Sequence, residues 1–438
     1  GFADLDDAGS DGLCAHGSPL QPRVPGLLLI ARVVVLALVQ VLFQIGEEIR
    51  LVHQLVGEVL VVVLVVIGGG VLWWVSRPAD PGDFYATPDA LPKDPGKVID
   101  SEDFTRSVPP GAEAHLIKYT TTDETGAQHV ATATVLVPTA KADGPRPVLA
   151  WAHGTTGVVP GCAPSLLKDP WAGIPAVDQL IEAGYVVVAT DYVGLGTEGP
   201  HQYLVGRTAA RNVLDGIRAL HDYDEQDDVT DGAGLTDEAV VWGHSQGGQT
   251  TLFTGEVAED YAPDVKLAGL GALAPPADLS ALLGAEKDTI VGKVLSSMAM
   301  RSWSETFDDV DFDQVVRKGA RTAARGISSR CLTKPGAYLT LVEGESLKSS
   351  IFAGDPTKDP VLVAHMDDNS ASGPIATPLF IGQGAADDVV DPTVTEDYVA
   401  TMCKDPAQDL DFYLLPKITH FTIVEKGSPI EEPLLQWT

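Results

Sequence analysis

The stretch VVWGHSQGGQTTLF, residues 240–253, places Ser245 between Gly243 and Gly247 at the end of an apolar run. Gly-x-Ser-x-Gly is typical of a nucleophile elbow, a sharp strand-to-helix turn that exposes a serine hydroxyl. The two glycines would let the backbone pass closely, and His244 is expected to help shape the turn. The same pattern arises by chance in long chains, so it indicates catalysis only when a strand precedes it and a helix follows it.

Strand-like and helix-like stretches alternate on both sides of this motif. Two runs within 114–138 surround the turn signal DETG and predict a β-hairpin. Further apolar runs predict strands at 146–154, 185–192, 238–245, 266–279, 378–384 and 410–416. Helical spacing of apolar residues predicts helices at 176–184, 206–223 and 246–262. The alternation indicates an α/β fold with a mostly parallel central sheet and helices on both faces, which is the context that an elbow requires.

A long insertion separates two of the predicted strands. About 95 residues lie between Leu279 and Ala376, and a structureless loop of that length is improbable in a compact domain. The segment contains helical stretches such as residues 281–300. We therefore expect a helical cap over about 279–376, inserted into a catalytic domain that spans 101–438.

A carboxylate that follows a later strand is the candidate acid of a triad. Serine is a weak nucleophile that needs a base, and a carboxylate must orient that base. In this architecture the chain order is serine, acid, histidine. The stretch 382–392 offers three acids, Asp387, Asp388 and Asp391. The Gly-x-x-Asp spacing from Gly384 places Asp387 just beyond a strand end, so we favour it over Asp388.

His420 is the candidate base, because it follows the last predicted strand in LPKITHF. We interpret His153 as a neighbour that shapes the loop after the strand at 146–154. Four other isolated histidines have a surface or structural role in this interpretation: His115, His129, His221 and His365. The order Ser245, Asp387, His420, each at a strand end, is more specific than any single motif.

Two backbone amides are expected to bind the oxyanion of the reaction. Gln246 follows Ser245 at the start of a helix, where free amides and the helix dipole favour negative charge. The loop AHGTTG, 152–157, has the His-Gly-rich form expected for the second donor. That donor is Thr155 or Thr156.

The composition excludes several classes of partner. The 438 residues carry 29 basic and 61 acidic side chains, a formal net charge of -32, which repels phosphate backbones and anionic headgroups. Nucleic acid is therefore not an expected partner. The chain has four cysteines, Cys14, Cys162, Cys331 and Cys403, and they form no Cys/His cluster that would suggest a metal. Four cysteines allow three full disulfide pairings.

The amino-terminal region predicts contact with a membrane. Residues 59–75 are uncharged, contain paired tryptophans and suit a membrane span, whereas 26–43 is a weaker candidate because Arg32 and Gln40 interrupt it. If both runs cross, residues 44–58 would link them in a hairpin. We expect 1–77 to form a tail with one or two membrane spans. About the first 55 residues are expected to be processed, truncated or not native to the mature protein. The Pro-, Asp- and Gly-rich stretch 78–100 would follow as a linker.

Several motifs together resemble the secretory lipase family of α/β-hydrolases. The resemblance rests on AWAHGTTGVVPGCAPS (150–165), VVATDYVGLGTEGPHQYLVG (187–206) and the region from 240 to 279 around the elbow. It implies hydrolysis of carboxylic esters without a cofactor, with a cap that forms much of the acyl site. It also implies a disulfide between Cys162 and Cys331.

The sequence thus predicts a serine lipase or esterase that acts on small-molecule or lipid esters through an acyl-enzyme on Ser245. We expect it to be anchored to the cell membrane with its catalytic domain outside the cytoplasm, or secreted. An acyltransferase or a peptidase could use the same triad, although peptidases of this fold often carry a propeller for which the chain has no room. A catalytically idle surface binding module is the alternative from a different class, because fold alone does not prove function.

Overall fold

The structure is a computed structural model that describes residues 27–333 and 336–438. The chain divides into two units, Gly1–Val71 and Leu72–Thr438, which are described separately. The predictions for residues 1–26, including any pairing of Cys14, lie outside the described residues.

The amino-terminal helix α1 spans Leu27–Val75 without interruption. Within it, Arg32–Val71 is long and apolar enough to cross a membrane, judged by length and composition, and it is the one such helix among the described residues. Both candidate spans, 26–43 and 59–75, therefore fall on a single helix apart from residue 26. Residues 44–58 are helical and do not form the turn that a two-span hairpin would need.

The second unit contains nine strands and eleven further helices within its described residues. The strands are β1 Val98–Asp103, β2 Ala112–Thr122, β3 Gln128–Pro138, β4 Arg146–Ala152, β5 Val186–Thr190, β6 Leu235–His244, β7 Lys266–Leu273, β8 Leu379–Gly384 and β9 Leu410–Leu415. The helices are α2 Val177–Glu182, α3 Gly206–Asp227, α4 Gln246–Tyr261, α5 Leu279–Glu286, α6 Ile290–Thr306, α7 Phe312–Val315, α8 Arg321–Ser328, α9 Gly336–Ser346, α10 Pro360–Asp368, α11 Pro392–Met402 and α12 Glu431–Trp437.

All nine strands form one sheet in the order β1-β2-β3-β5-β4-β6-β7-β8-β9. The pairs β1–β2, β2–β3 and β3–β5 are antiparallel, and every pair from β5 to β9 is parallel. The carboxyl ends of β4, β6, β8 and β9 consequently meet at one edge, where ligands of such sheets bind. We call this edge, with the loops that follow those four strands, the catalytic edge.

Helices cover both faces of the sheet, as the alternating pattern predicts. One core includes buried side chains of α3, α4 and α11, such as Val213, Phe253 and Tyr398. The other core includes side chains of α2 and α12, such as Leu180 and Leu434. Strands buried on both faces explain the continuous apolar runs at these positions of the sequence.

Helices α5–α10 lie within about 279–376, the stretch where a helical cap is predicted, and we call them the cap. They surround their own apolar core, which includes Met298, Trp303 and Ile327. Asp278 caps α5 by accepting a hydrogen bond from the amide of Ala281. The insertion therefore begins at this helix, after the segment that follows β7.

The stretch 78–100 differs from the linker that its composition indicates. Tyr85 is buried, and its hydroxyl lies 2.7 Å from the Ser165 hydroxyl. Strand β1 begins at Val98, inside the expected linker, and pairs with β2. Its sequence, VIDSED, is polar because an edge strand has little apolar contact to make, and it therefore gives a weak strand signal.

Candidate active site

Ser245 lies in the turn between β6 and α4, where the backbone geometry is that of a nucleophile elbow. Its φ of 55° is in the left-handed region, and its amide donates to the Leu273 carbonyl at 2.9 Å. The flanking glycines are needed for space. A Cβ at Gly243 would overlap the Gly247 carbonyl, and a Cβ at Gly247 would overlap the Ala152 carbonyl. The sequence can therefore hold this turn only with glycine on both sides.

A hydrogen-bonded relay connects Ser245 to two buried side chains. The Nε2 atom of His420 lies 2.8 Å from the Ser245 hydroxyl, and its Nδ1 atom lies 2.9 Å from Oδ2 of Asp387. When Nδ1 carries the ring proton and donates a hydrogen bond to the carboxylate, Nε2 is unprotonated and can accept the serine proton. The order and geometry are those of a Ser-His-Asp triad.

The carboxylate of Asp387 is held on both oxygens. Oδ1 accepts the amides of Val389 and Val390, each at 2.9 Å, and Oδ2 also accepts the side-chain amide of Gln383 at 3.0 Å. Burial raises the pKa of this carboxyl, but its hydrogen bonds and its attraction to His420 outweigh burial, so the net pKa is lowered. Asp387 is therefore ionised and ready to orient the imidazole.

The other two acids of this loop do not reach the histidine. Asp388 is exposed to solvent. Asp391 instead caps α11 by accepting the amide of Thr393 at 2.9 Å. Between the two sequence alternatives, the structure brings Asp387 to His420 and leaves Asp388 outside the relay.

The candidate oxyanion donors flank the elbow. Gly154 lies so close that a Cβ there would be 3.5 Å from the Cβ of Ser245. Within the described part of the chain, the amides of Gln246, Thr155 and Thr156 donate to no other protein group. Free amides beside a serine are what a developing oxyanion requires.

The two threonines are fixed by different contacts. The hydroxyl of Thr155 lies 2.9 Å from that of Tyr203, whereas the carbonyl of Thr156 accepts the amide of Leu332 at 2.7 Å. Leu332 follows Cys331, so the loop is held by the cap side of the molecule as well as by β4.

His153 and His244 support the loops around Ser245. Burial, together with the charge of His420, lowers the pKa of His244 to about 3, and its Nε2–H donates to the His420 carbonyl at 2.8 Å. Burial lowers the pKa of His153 to about 4, and its ring nitrogens lie near the carbonyls of Gly154 and Asp191. Both imidazoles are therefore neutral and hydrogen-bonded to backbone carbonyls next to the motifs.

An apolar cavity extends from Ser245 into the cap. Ser245 and Gln246 lie in its wall, as do Val389 and Val390 from the loop after β8. The cap supplies most of the remaining wall, including Leu279, Leu282, Leu283, Leu295, Ala299, Met300, Trp303, Leu362 and Met366. One acidic residue, Glu286, also lies in the wall. The largely apolar lining favours a hydrocarbon chain over a charged group.

The disulfide implied by the resemblance is present between Cys162 and Cys331. It joins the loop after β4 to the segment between α8 and α9, 169 residues further along the chain. Cys403 is free and exposed. Among the described residues no group of three or more His, Cys, Asp or Glu side chains is placed to hold a metal ion.

Two residues near the site have no role in the sequence analysis. Gln383 is completely buried on β8 and donates to Asp387, and Tyr203 contacts Thr155. A signal for Gln383 exists, because a glutamine inside the apolar run PLFIGQG needs a buried partner. Tyr203 gives no comparable local signal.

The mixed sheet, the elbow after β6, and an acid and a histidine after β8 and β9 define an α/β-hydrolase. The sequence pattern of the secretory lipase family matches residues 173–437. The chain belongs to the secretory lipase family.

Three curated relatives align with part of the chain. A lipase A of Moesziomyces aphidis is 28% identical over 42% of this chain and 41% of its own length. Lipase 6 of Candida albicans is 24% identical over 48% of this chain and 46% of its own length. A probable inactive lipase of Mycobacterium tuberculosis is 28% identical over 46% of this chain and 47% of its own length. The chain therefore spans less than half the length of these relatives.

Solved structures share the fold. Candida antarctica lipase A in its closed state superposes with a TM-score of 0.64 at 19% identity, covering 78% of this chain and 83% of that one. A ligand-bound rice cell wall degrading esterase from Xanthomonas oryzae superposes with a TM-score of 0.62 at 20% identity, covering 75% of this chain and 92% of that one. At such identity the likeness concerns the α/β-hydrolase fold.

Proposed function

We propose that the chain is a carboxylic-ester hydrolase, a lipase or esterase, that acts through an acyl-enzyme on Ser245. The observation that carries the proposal is the relay in which His420 lies 2.8 Å from the serine hydroxyl and 2.9 Å from Asp387. Membership of the secretory lipase family supports the same reaction.

Acylation begins when the Ser245 hydroxyl attacks the ester carbonyl while Nε2 of His420 takes its proton. Asp387 keeps the imidazole in the required tautomer and stabilises its positive charge. The oxyanion accepts hydrogen bonds from the amides of Gln246 and of Thr155 or Thr156. His420 then gives its proton to the leaving alcohol, which leaves an acyl-serine.

Deacylation repeats these steps with water. His420 removes a proton from the water, the resulting nucleophile attacks the acyl carbonyl, and the same amides bind the second oxyanion. Collapse of this intermediate releases the acid and returns the proton to Ser245. No cofactor takes part in this sequence.

The cavity argues for an apolar acyl group in the substrate. Its wall next to Ser245 is formed largely by leucine, methionine and aromatic side chains of the cap. Burying an acyl chain there contributes about 0.8 kcal/mol per methylene group. We therefore infer that the substrates are small-molecule or lipid esters with apolar acyl chains.

We infer further that the protein is exported and that α1 anchors it in a membrane with the catalytic unit outside the cytoplasm. The apolar length of α1 supports an anchor, and the Cys162–Cys331 disulfide suits an oxidising compartment. Membrane fractions washed with carbonate should retain the full chain and lose a variant that lacks residues 27–71. Equal release of both proteins would remove the anchor from this proposal.

The deciding experiment measures hydrolysis of p-nitrophenyl butyrate and palmitate by the full chain in detergent, with Ser245→Ala as the blank. Turnover of both esters that disappears in the blank is the expected result. Mass spectrometry should locate a fluorophosphonate adduct on Ser245.

A second candidate function is a non-catalytic binding module of the same fold. It is favoured by one observation, that a curated relative bears the name of a probable inactive lipase. Saturable binding of an ester without turnover and without a fluorophosphonate adduct would support this module and overturn the hydrolase.

A further inference from the structure

One short segment, residues 201–203, contacts both sides of the candidate oxyanion hole. We call it the bridging loop. Nε2 of its His201 lies 3.1 Å from the side-chain amide of Gln246, and the hydroxyl of its Tyr203 lies 2.9 Å from the hydroxyl of Thr155. Gln246 and Thr155 are separated in the sequence by the whole stretch from β5 to β6. The bridging loop contacts the side chains of both.

The tautomer of His201 makes its contact directional. Nδ1 lies 3.0 Å from the Val193 carbonyl and must therefore donate to it. Burial lowers the pKa of His201 to about 3, so the ring is neutral and Nε2 keeps a free lone pair. That lone pair accepts the hydrogen bond of the Gln246 side chain.

The opposite side of the bridging loop is fastened to the cap. The hydroxyl of Ser302 donates to the His201 carbonyl at 2.6 Å and accepts the Tyr203 amide at 2.8 Å. The indole of Trp303 donates to the Tyr203 carbonyl at 2.9 Å. Both residues belong to α6, whose side chains also line the acyl cavity.

Tyr203 thus makes three kinds of contact through its side chain and its backbone. Its ring lies in the cavity wall, its backbone is held by α6, and its hydroxyl holds Thr155. An oxyanion donor is effective only when it is fixed close to its productive position before the charge develops.

We propose that Tyr203 is a positioning residue that aligns the Thr155 loop for oxyanion binding and that is itself aligned by the cap helix α6. This inference rests on the proposed ester hydrolase function. Binding of an acyl chain against the cap then stabilises the same side chain that fixes the oxyanion loop, so part of the acyl binding energy is expressed in the transition state.

Tyr203→Phe is the test, because it removes the hydroxyl and keeps the ring. We expect kcat for p-nitrophenyl butyrate to fall at least about tenfold while KM changes less than about twofold. The inhibition constant of butaneboronic acid, whose tetrahedral adduct resembles the oxyanion, should rise by the same factor as kcat/KM falls.

A cycle with Thr155→Val isolates the contact. The double variant should have a kcat close to that of either single variant, because both substitutions remove the same hydrogen bond. If Tyr203→Phe does not fold, Thr155→Val alone must show the same fall in kcat and the same loss of boronate affinity.

Tyr261→Phe is the matched control. Its hydroxyl lies 2.8 Å from that of Thr122 and donates to Asp215, at the end of α4 remote from Ser245. This variant should lose thermal stability without losing kcat or boronate affinity.

The outcomes separate the two proposals. A wild-type chain without ester turnover and without a fluorophosphonate adduct overturns the hydrolase and this inference together. A normal wild-type enzyme whose Tyr203→Phe variant keeps kcat and boronate affinity, or loses them no more than Tyr261→Phe does, overturns the inference alone.

Discussion

The catalytic edge of the sheet and the cap reach the same serine by different physical means. At the edge, polar side chains are fixed by short hydrogen bonds, such as the 2.9 Å contact between His420 and Asp387. The cap presents an apolar wall whose members, such as Ala299 and Met300, are replaceable by other apolar residues of similar volume. In the function proposed above, the edge therefore determines which reaction occurs and the cap determines which acyl group takes part.

The largest expected effect concerns the edge. Asp387→Asn should lower kcat by about 10⁴, because the amide no longer holds His420 in the tautomer that accepts the serine proton. Steady-state hydrolysis of p-nitrophenyl butyrate measures it. The control is Asp388→Asn, next in the chain and exposed, which should retain full activity. Equal losses in the two variants would contradict the assignment of the acid.

The disulfide tests whether the two regions depend on each other. Cys331→Ser should lower the free energy of unfolding by up to about 5 kcal/mol, since the bond closes a long loop, and should weaken activity because Leu332 holds the carbonyl of Thr156. Thermal unfolding and turnover measure the two effects. Cys403→Ser, which removes the free exposed thiol, should change neither. An unaltered melting temperature in Cys331→Ser would show that the cap is held without the bond.

A pH effect on stability is expected from Asp191, the buried residue that directly follows β5. Burial raises the pKa of Asp191 to about 6, so the folded state favours the protonated carboxyl more than the unfolded state does. Stability should therefore decrease as the pH rises from about 4 to about 6, by about 3 kcal/mol from this group.

Asp191→Asn should abolish that part of the pH dependence, because the amide keeps an acceptor for the Ser165 amide and carries no charge. Urea unfolding at several pH values provides the free energies. An unchanged pH profile in this variant would assign the effect to other groups.

The smallest expected effect belongs to the cap. Ala299→Phe should fill part of the acyl cavity and lower kcat/KM for p-nitrophenyl palmitate by about tenfold relative to the butyrate ester. The butyrate ester serves as the internal control, since its short chain does not need the full cavity. A parallel loss for both esters would mean that the substitution disturbs the edge.

The sequence predicts the edge well because its signals are local. Apolar runs end at glycine, proline or a polar residue where β4, β6, β8 and β9 end, and the chain order of the triad residues follows from this architecture. The structure places His420 within hydrogen-bond distance of both Ser245 and Asp387, and the catalytic role of the three residues is the proposal made above.

Other features depend on contacts between distant parts of the chain. The choice of Asp387 over Asp388 depends on which carboxylate reaches His420, 33 positions later, which spacing alone does not determine. Tyr203 contacts Thr155, 48 positions earlier, and Trp303, 100 positions later. The edge strand β1 escapes pattern recognition because it is polar. Residues 44–58, which the two-span prediction needed as a turn, are helical within α1.

The close passage of Gly247 against Ala152 constrains how related sequences can diverge. Any side chain at Gly247 would displace β4, so this glycine is required for folding whether or not the serine beside it is used. A lineage that abandons ester hydrolysis can exchange Ser245 for another residue that tolerates its positive φ, while it retains both glycines. Preservation of the glycines in a homologue therefore records ancestry of the fold, and only the three side chains of the relay report whether selection still acts on the reaction.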